Sequence, residues 1–315
     1  MSKTTKIWLV IATSFVVFGG ILFMIGMSEK KWDFTKLSTE KYETNTYQIS
    51  EEFNNISMEL KTADVFFMPS TDEMCKVVCY EPEKVKYLAT VSDETLTISV
   101  VDKRQWYDHI DVMVDSPKIT VYLPEKEYAS LFIKGSTGDV EVLNDMQVES
   151  VDIAVSTGNI SLENVTTDNM NLSVSTGDIT AALVKCEGEV KVKVRTGKTK
   201  LDRIRSGNLH SIGSTGDVIL SNVIVTEVLS IERSTGDVKF EGCDAGEILI
   251  KTTTGDVVGN LLSDKVFFAE ANTGKVEVPK TTTGGKCEIN TSTGNIKVEI
   301  ITADGTTNDV EQFVK

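Results

Sequence analysis

Histidine is nearly missing from this 315-residue chain: only His109 and His210 occur, far apart in sequence. Ser-His-Asp and His-x-x-x-His arrangements are therefore absent, and there is no glycine-rich phosphate signature. Cysteine is sparse as well, and Cys75, Cys79, Cys186, Cys243 and Cys287 include no Cys-x-x-Cys pair. The first 74 residues hold no cysteine, which excludes a lipid-modified one near the start. On a strand, Cys75 and Cys79 would stand ~13 Å apart, beyond disulfide reach. The other three fall at different phases of the repeat described below, so buried or half-buried free thiols are expected. Positive charge is in deficit, with 32 Lys and Arg against 47 Asp and Glu and a net charge of −15. Binding to nucleic acid or to an anionic lipid surface by general attraction is therefore not expected. Neither disorder nor uniform apolarity describes a chain that is 25% charged and 40% hydrophobic.

Long apolar runs are rare too; there is one. Ile7 to Met27, IWLVIATSFVVFGGILFMIGM, is 21 residues without a charge. At ~1.5 Å per helical residue it spans the ~30 Å hydrocarbon layer of a bilayer. A secretory signal usually has an apolar run of ~7–15 residues and a small-x-small cleavage site. This run is longer and FMIGMSEKK offers no such site, which favours an uncleaved signal anchor over a cleaved signal. Lys3 and Lys6 face Lys30 and Lys31 across the segment, and the free amino group and Glu29 tilt the positive-inside balance toward a cytoplasmic start. The expected layout is a cytoplasmic tail (1–6), a membrane helix (7–27), a polar linker (28–47) and an extracytoplasmic body in a single-pass cell-membrane protein. Taking the two lysines of residues 1–28 from the chain's net −15 leaves −17 on that body.

What the chain has in abundance is one phrase. Ser-Thr-Gly-Asp or a close variant surrounds Gly138, Gly158, Gly177, Gly197, Gly216, Gly236, Gly255, Gly274 and Gly294, spaced by 20, 19, 20, 19, 20, 19, 19 and 20 residues. Nine copies at a near-constant period are the signature of a solenoid, whose units bury their apolar faces only by stacking. Seven and five residues before each glycine stand mostly apolar residues, such as Val151 and Ile153, Leu229 and Ile231, with polar Asp152 or Ser230 between them. Two and four residues after it the apolar alternation resumes. The period of two means strands. A circuit of 19 or 20 residues is roughly 60 Å long, and successive circuits stacked at ~4.8 Å would form parallel sheets around a narrow core.

At the corner, glycine supplies a positive φ or a tight approach. Threonine, present in all nine copies from Thr137 to Thr293, is expected to keep the inward parity and return its hydroxyl to the turn backbone. The next residue reads Asp139, Asn159, Asp178, Lys198, Asp217, Asp237, Asp256, Lys275 and Asn295. Like charges repel at ~4.8 Å spacing. Lys198, between Asp178 and Asp217, and Lys275, between Asp256 and Asn295, are therefore expected to relieve the file.

Before the regular region (131–301), residues 48–130 are expected to form degenerate coils or a capping meander. In ISMELKTADVFF, Ile56, Met58 and Leu60 take the inward columns and Ala63 replaces the glycine. HIDVMV and KITVYLP alternate without a turn motif. At the far end, 302–315 is read as a cap or tail in which NDVEQFVK places Val310, Phe313 and Val314 over the last coil.

The signal-anchor start, the passage ITVYLPEKEYASLFIKGSTGDVEV (Ile119 to Val142) and the recurring Ser-Thr-Gly-Asp resemble a bacterial all-β family of unknown function labelled putative adhesin, defined by a repeated Gly-Asp. The likeness covers roughly residues 48–301. It implies a membrane-anchored, cell-surface β-solenoid. Arg195 with Lys198, Asn272 with Lys275, and Ala63 depart from the motif, so the coils cannot all share one repeated ligand. The fold expected is all-β: a parallel, single-stranded, right-handed β-solenoid preceded by one transmembrane helix.

Three candidate sites follow. Asp217, Asp237 and Asp256 form an unrelieved acidic run, read as solvated turn caps or as a Ca²⁺ site with oxygen ligands. The same three would be the carboxylates of a polysaccharide-cleaving β-helix enzyme, but they obey the repeat, and a catalytic group should break it. The most evident break is VKVKVRTGKTKLDRIR, Val190 to Arg205, with Lys191, Lys193, Arg195, Lys198, Lys200, Arg203 and Arg205 against Asp202. This cationic belt either pairs with acids of neighbouring coils, such as Asp178, Glu187, Asp217 and Glu227, or docks an anionic partner. No enzyme activity and no cofactor are expected. The reading is a non-catalytic, adhesin-like surface module whose partner is a cell-wall polymer, a glycan or a membrane protein. The alternative is a scaffold or sensor of a membrane complex in envelope stress.

Overall fold

The computed structural model describes residues 2–29, 31–32, 41–104, 116–143 and 145–301. HIDVMV and NDVEQFVK, with His109, Val310, Phe313 and Val314, lie outside the described residues. Lys3–Glu29 is one α-helix, with an 18-residue stretch of mean hydropathy 2.4, long and apolar enough to cross a membrane. The described residues after it are strand and turn: a β-solenoid, each coil of which takes the name of its corner glycine.

Each coil contributes to two parallel ladders, one before the corner and one after it. In the first ladder Ile153 pairs with Leu172, Leu172 with Val192 and Ser211 with Ile231. In the second, Ile160 pairs with Ile179, Ile179 with Thr199 and Thr199 with Val218. The hydrogen bonds continue through the bend, where the Gly158 amide donates to Thr176 O (3.0 Å) and the Ile160 amide to Asp178 O (3.0 Å). The nine repeat threonines, with Thr62 of the Ala63 coil, stand in one file, each paired to the next.

Stacking explains the corner glycine. At Gly158 φ is +138°, and a Cβ there would overlap the carbonyl oxygen of Gly138 in the coil beneath. Gly138 itself would strike the carbonyl of Ala63. The clash always points to the N-terminal side of the stack. The Ala63 coil has no corner glycine beneath it, and among the described corners Ala63 is the one that carries a Cβ.

Several expectations need correction. The repeat threonines do not face inward: all nine are exposed, as are the serines before Thr137, Thr157 and Thr176. The strand alternation ends three residues before the glycine, and both Ser and Thr occupy the outside of the bend. That position is itself an inward column, filled by Val155, Val174 and Val194. Two more inward columns lie on the return limb, for example Val184 and Cys186 or Val223 and Val225. All five cysteines are buried free thiols, as expected.

The order of coils also departs from the order in sequence. The Gly255 coil pairs with the Gly294 coil, and the Gly294 coil with the Gly274 coil. After Leu261 the chain therefore steps over one position, builds Lys265–Thr273 and Val276–Glu277 as the outermost coil, and returns to insert Gly285–Thr293 and Ile296–Ile300 beneath it. Asn295, not Lys275, neighbours Asp256.

The N-terminal end steps over in the same manner. Asn55–Thr62 and Asp64–Pro69 form the Ala63 coil. Below it lie Thr95–Asp102 and Lys118–Leu123, and only then does the chain return above it as Glu127–Thr137. Antiparallel strands close this end: Val85–Ser92 on Thr95–Asp102, Cys75–Pro82 on Lys118–Leu123, and Tyr42–Ile49 on Cys75–Pro82. Among the described residues the first strand thus starts at Tyr42, inside the stretch read as linker. The buried Tyr87 donates its hydroxyl to Thr62 O. Phe53 and Tyr128 pack at 6.0 Å, with the Lys126 ammonium 5.0 Å from each ring.

Candidate binding surface

The residue after each corner glycine has a structural task. Its side-chain oxygen accepts the backbone amide of the same position one coil further on: Asp64 Oδ1 from Asp139 N (3.0 Å), Asp139 from Asn159 (2.7 Å), Asn159 from Asp178 (2.9 Å), Asp178 from Lys198 (2.7 Å). Lys198 has no oxygen to offer, and the file restarts at Asp217, which takes Asp237 N (3.1 Å). Asp237 takes Asp256 N (3.0 Å), Asp256 takes Asn295 N (2.7 Å) and Asn295 takes Lys275 N (3.1 Å). Among the described residues Lys275 is the last of the file in space.

The acidic run is thus engaged with backbone. Asp217, Asp237 and Asp256 each have one carboxylate oxygen committed to an amide. No group of three or more His, Cys, Asp or Glu among the described residues is placed to hold a metal ion. His210 stands 3.4 Å from Glu189 Oε1, apart from these aspartates.

The seven cationic residues are all exposed. They encircle the Gly197 coil: Lys191, Lys193 and Arg195 before the corner, Lys198 on it, Lys200, Arg203 and Arg205 after it. Two of them make ion pairs, and both partners are local: Lys191 with Glu189 (2.6 Å) and Arg203 with Asp202 (2.9 Å). Asp178 and Asp217 hold amides instead, and Glu227 accepts from Asn208 Nδ2 (2.7 Å). Lys193, Arg195, Lys198, Lys200 and Arg205 have no acidic partner among the described residues.

Register places two of these cations beside a surface that sequence reasoning missed. A trough of about 390 Å³ runs across the Ala63, Gly138, Gly158 and Gly177 coils. Its floor holds Ser136, Ser156, Ser173 and Ser175 with Ala154 and Val155, and Glu59, Lys61 and Lys134 stand at its N-terminal end. Gly135, which brings no side chain to the inward column three before the corner, is part of its lining. Lys134, Ala154, Ser173 and Lys193 pair in one row. Lys193 and Arg195 therefore continue the trough's two outward rows onto the next coil. From the Gly138 coil to the Gly197 coil is three coil spacings, ~14 Å. The row of lysines and serines was legible in the repeat; the missing side chain at Gly135 became meaningful only once the third inward column was known.

A search of curated proteins found no match. Solved structures with a similar course include a putative adhesin from Bacteroides fragilis, at 17% identity over 82% of this chain and 97% of that one, TM-score 0.47. A putative adhesin from Parabacteroides merdae matches at 14% identity over 70% and 97% of the two chains, TM-score 0.43. A putative lipid binding protein from Parabacteroides distasonis matches at 15% identity over 83% and 98%, TM-score 0.43. A family model matches residues 53–239 and again 185–311, between them most of the chain and nearly all of the solenoid. With this match spanning the corner repeat, the chain belongs to the Toastrack DUF4097 family.

Proposed function

We propose that this protein is a membrane-anchored, extracytoplasmic rod that binds an anionic polymer, such as an acidic glycan of the cell wall, along the outer face of its first ladder, and that it acts by binding rather than catalysis. The observation that carries this reading is the serine-lined trough with Lys61 and Lys134 at one end and Lys193 and Arg195 at the other. Hydroxyls suit a polyhydroxylated chain, and Lys134 and Lys193, ~14 Å apart in one row, suit a ligand whose charges repeat. On a body of net −17 such a patch also selects orientation, since acidic surroundings repel an anionic ligand elsewhere. The helix Lys3–Glu29 supports placement at a membrane.

The test is binding of the detergent-solubilised protein to anionic wall polymers and to a glycan array at low and physiological salt. Replacing Lys134, Lys193 and Arg195 with glutamine should lower affinity by about tenfold or more and flatten its salt dependence. Unchanged binding would refute the assignment. A scaffolding role is favoured instead by the outermost C-terminal coil, where Phe268 is 56% and Val276 41% exposed. Recovery of one membrane protein by crosslinking in intact cells, together with no polymer binding, would select that reading.

A further inference from the structure

Among the described residues three charged side chains are buried in the body of the protein, and two of them have counter-charges. Glu81 accepts from Tyr87 N (2.6 Å) and Asn45 Nδ2 (2.7 Å), with Lys86 Nζ at 3.7 Å. Lys265 lies 2.7 Å from Asp244 Oδ1. The third, Arg233, is 4% exposed and has no carboxylate partner among the described residues. Its bonds go to neutral groups: Nη2 to Thr199 Oγ1 (2.7 Å) and Ser211 Oγ (3.2 Å), and Nη1 to Val194 O (3.3 Å).

The sequence around it has been altered in concert. Arg233 stands three residues before its corner glycine, in the inward column that holds Val155, Val174 and Val194 in earlier coils. Directly beneath it Gly213 replaces the valine, and a Cβ at Gly213 would overlap Nη1 of the guanidinium. Ser211 interrupts a column otherwise mostly of isoleucine, leucine and valine. Thr199 interrupts a column that is otherwise valine or isoleucine throughout. Four departures from the repeat on three adjacent coils thus converge on one cation. One accident would leave an unaccommodated arginine; here room and hydroxyls are provided.

Two buried polar groups of this cluster still have no partner. Arg233 Nε bonds to no protein atom, and neither does Thr252 Oγ1. Thr252 is the residue paired with Arg233 on the next coil, in the same inward column. An N–H can only donate and a threonine hydroxyl can donate. Two unpartnered donors at paired positions of adjacent coils, beside an uncompensated positive charge, call for an acceptor that is itself negative. An unpaired buried charge is costly, and the guanidinium pKa is lowered to about 10 by burial.

We propose that Arg233 and Thr252 bind a small monovalent anion of halide size inside the solenoid, as the counter-charge the protein itself does not supply. The coil spacing of ~4.8 Å limits the ligand to a single small ion and excludes sulfate or phosphate. The bound ion ties the Gly236 and Gly255 coils together, while the guanidinium ties the Gly197 and Gly216 coils to them. A stack of near-identical coils gains from one unrepeatable contact, because a slip of one coil would otherwise match equally well.

The experiment compares melting of the full-length protein in detergent with chloride, with bromide and with gluconate, which is too large to enter, at equal ionic strength. The halide samples should melt about 2–5 °C higher. Thr252→Val, a conservative change, should shift the chloride midpoint about tenfold upward while leaving the protein folded. The variant T199V/S211I/G213V/R233V, which restores the repeat, should melt identically in all three salts. Crystals grown in bromide should show an anomalous peak within hydrogen-bond distance of Arg233 Nε. Equal melting of the unaltered protein in halide and gluconate would overturn the proposal. So would a halide effect that survives both variants, or a light atom such as water at Nε without bromide signal.

Discussion

The two ends of the solenoid solve the same problem differently. At the N-terminal end antiparallel strands turn the last parallel edges, Tyr87 reaches under the corner to Thr62, and Phe53, Tyr87 and Tyr128 are buried. At the C-terminal end no antiparallel strand follows among the described residues, and Phe267, Ala269 and Ala271, inward by column, are only half-buried. Chain order protects the final described strands: they are tucked one coil inside, so among the described residues the coil outermost in space is not the last in sequence. A sequentially stacked solenoid frays from its terminus because the terminal coil has one neighbour. Here the terminal strands have two, and the outermost coil is anchored by covalent connections on both sides.

The sharpest way to break this comparison is at the corners. Gly177→Ala places a Cβ against the carbonyl of Gly158, at a φ of +136°. It should cost ~3 kcal/mol or more, read as a large fall in melting temperature, whereas Ala63→Gly should cost under ~1 kcal/mol. Equal effects would mean that the clash with the coil beneath is not what requires glycine.

Next in size is the tucked coil. Ile289→Asp and Ile296→Asp lie near the end of the regular structure yet are fully buried. Each should destabilise by ~3 kcal/mol or more and remove amide-exchange protection from both the Gly255 and the Gly274 coils. Loss confined to the final strands would contradict the observed order.

Thiol labelling sharpens the contrast of the two ends. Burial pushes Cys75, Cys79 and Cys287 up to about 12, so at pH 8 all three are protonated and unreactive until their surroundings open. Cys287 should label faster than Cys75 or Cys79, because only the C-terminal end lacks an antiparallel cover among the described residues. The reverse order would reverse the comparison.

The smallest effect separates middle from end on the aspartate file. Lys198→Asn supplies an oxygen to the Asp217 amide and should add ~0.5–1.5 kcal/mol, while Lys275→Asn, with no coil beyond it, should change stability by less than ~0.5 kcal/mol. A chemical-denaturation pair measures both.

Much of the coil was legible because periodicity is a local property. The glycine spacing, the paired apolar columns at Val151 and Ile153 and the membrane-length run Ile7–Met27 need no long-range knowledge. Threonine's direction was not legible, because the alternation stops three residues before the glycine, at the column that contains Arg233, and where it stops is set by the stacked bend. The five unpaired cations of the Gly197 coil could be counted in the sequence, but not that their acids are occupied elsewhere. The trough needed Gly135 to be placed on the inward face.

Sequence alone, through a repeat of 19 or 20 residues, decided that the chain winds, where it bends and which side of each strand is apolar, since these follow from residues adjacent along the backbone. Which coil lies on which was left to the tertiary structure. Coils of nearly equal grammar can stack in several orders at nearly equal cost. The choice rests on contacts between distant residues: Thr254 on Thr293 and not on Thr273, Ala63 at the one corner without a glycine beneath it, and Arg233 over Gly213.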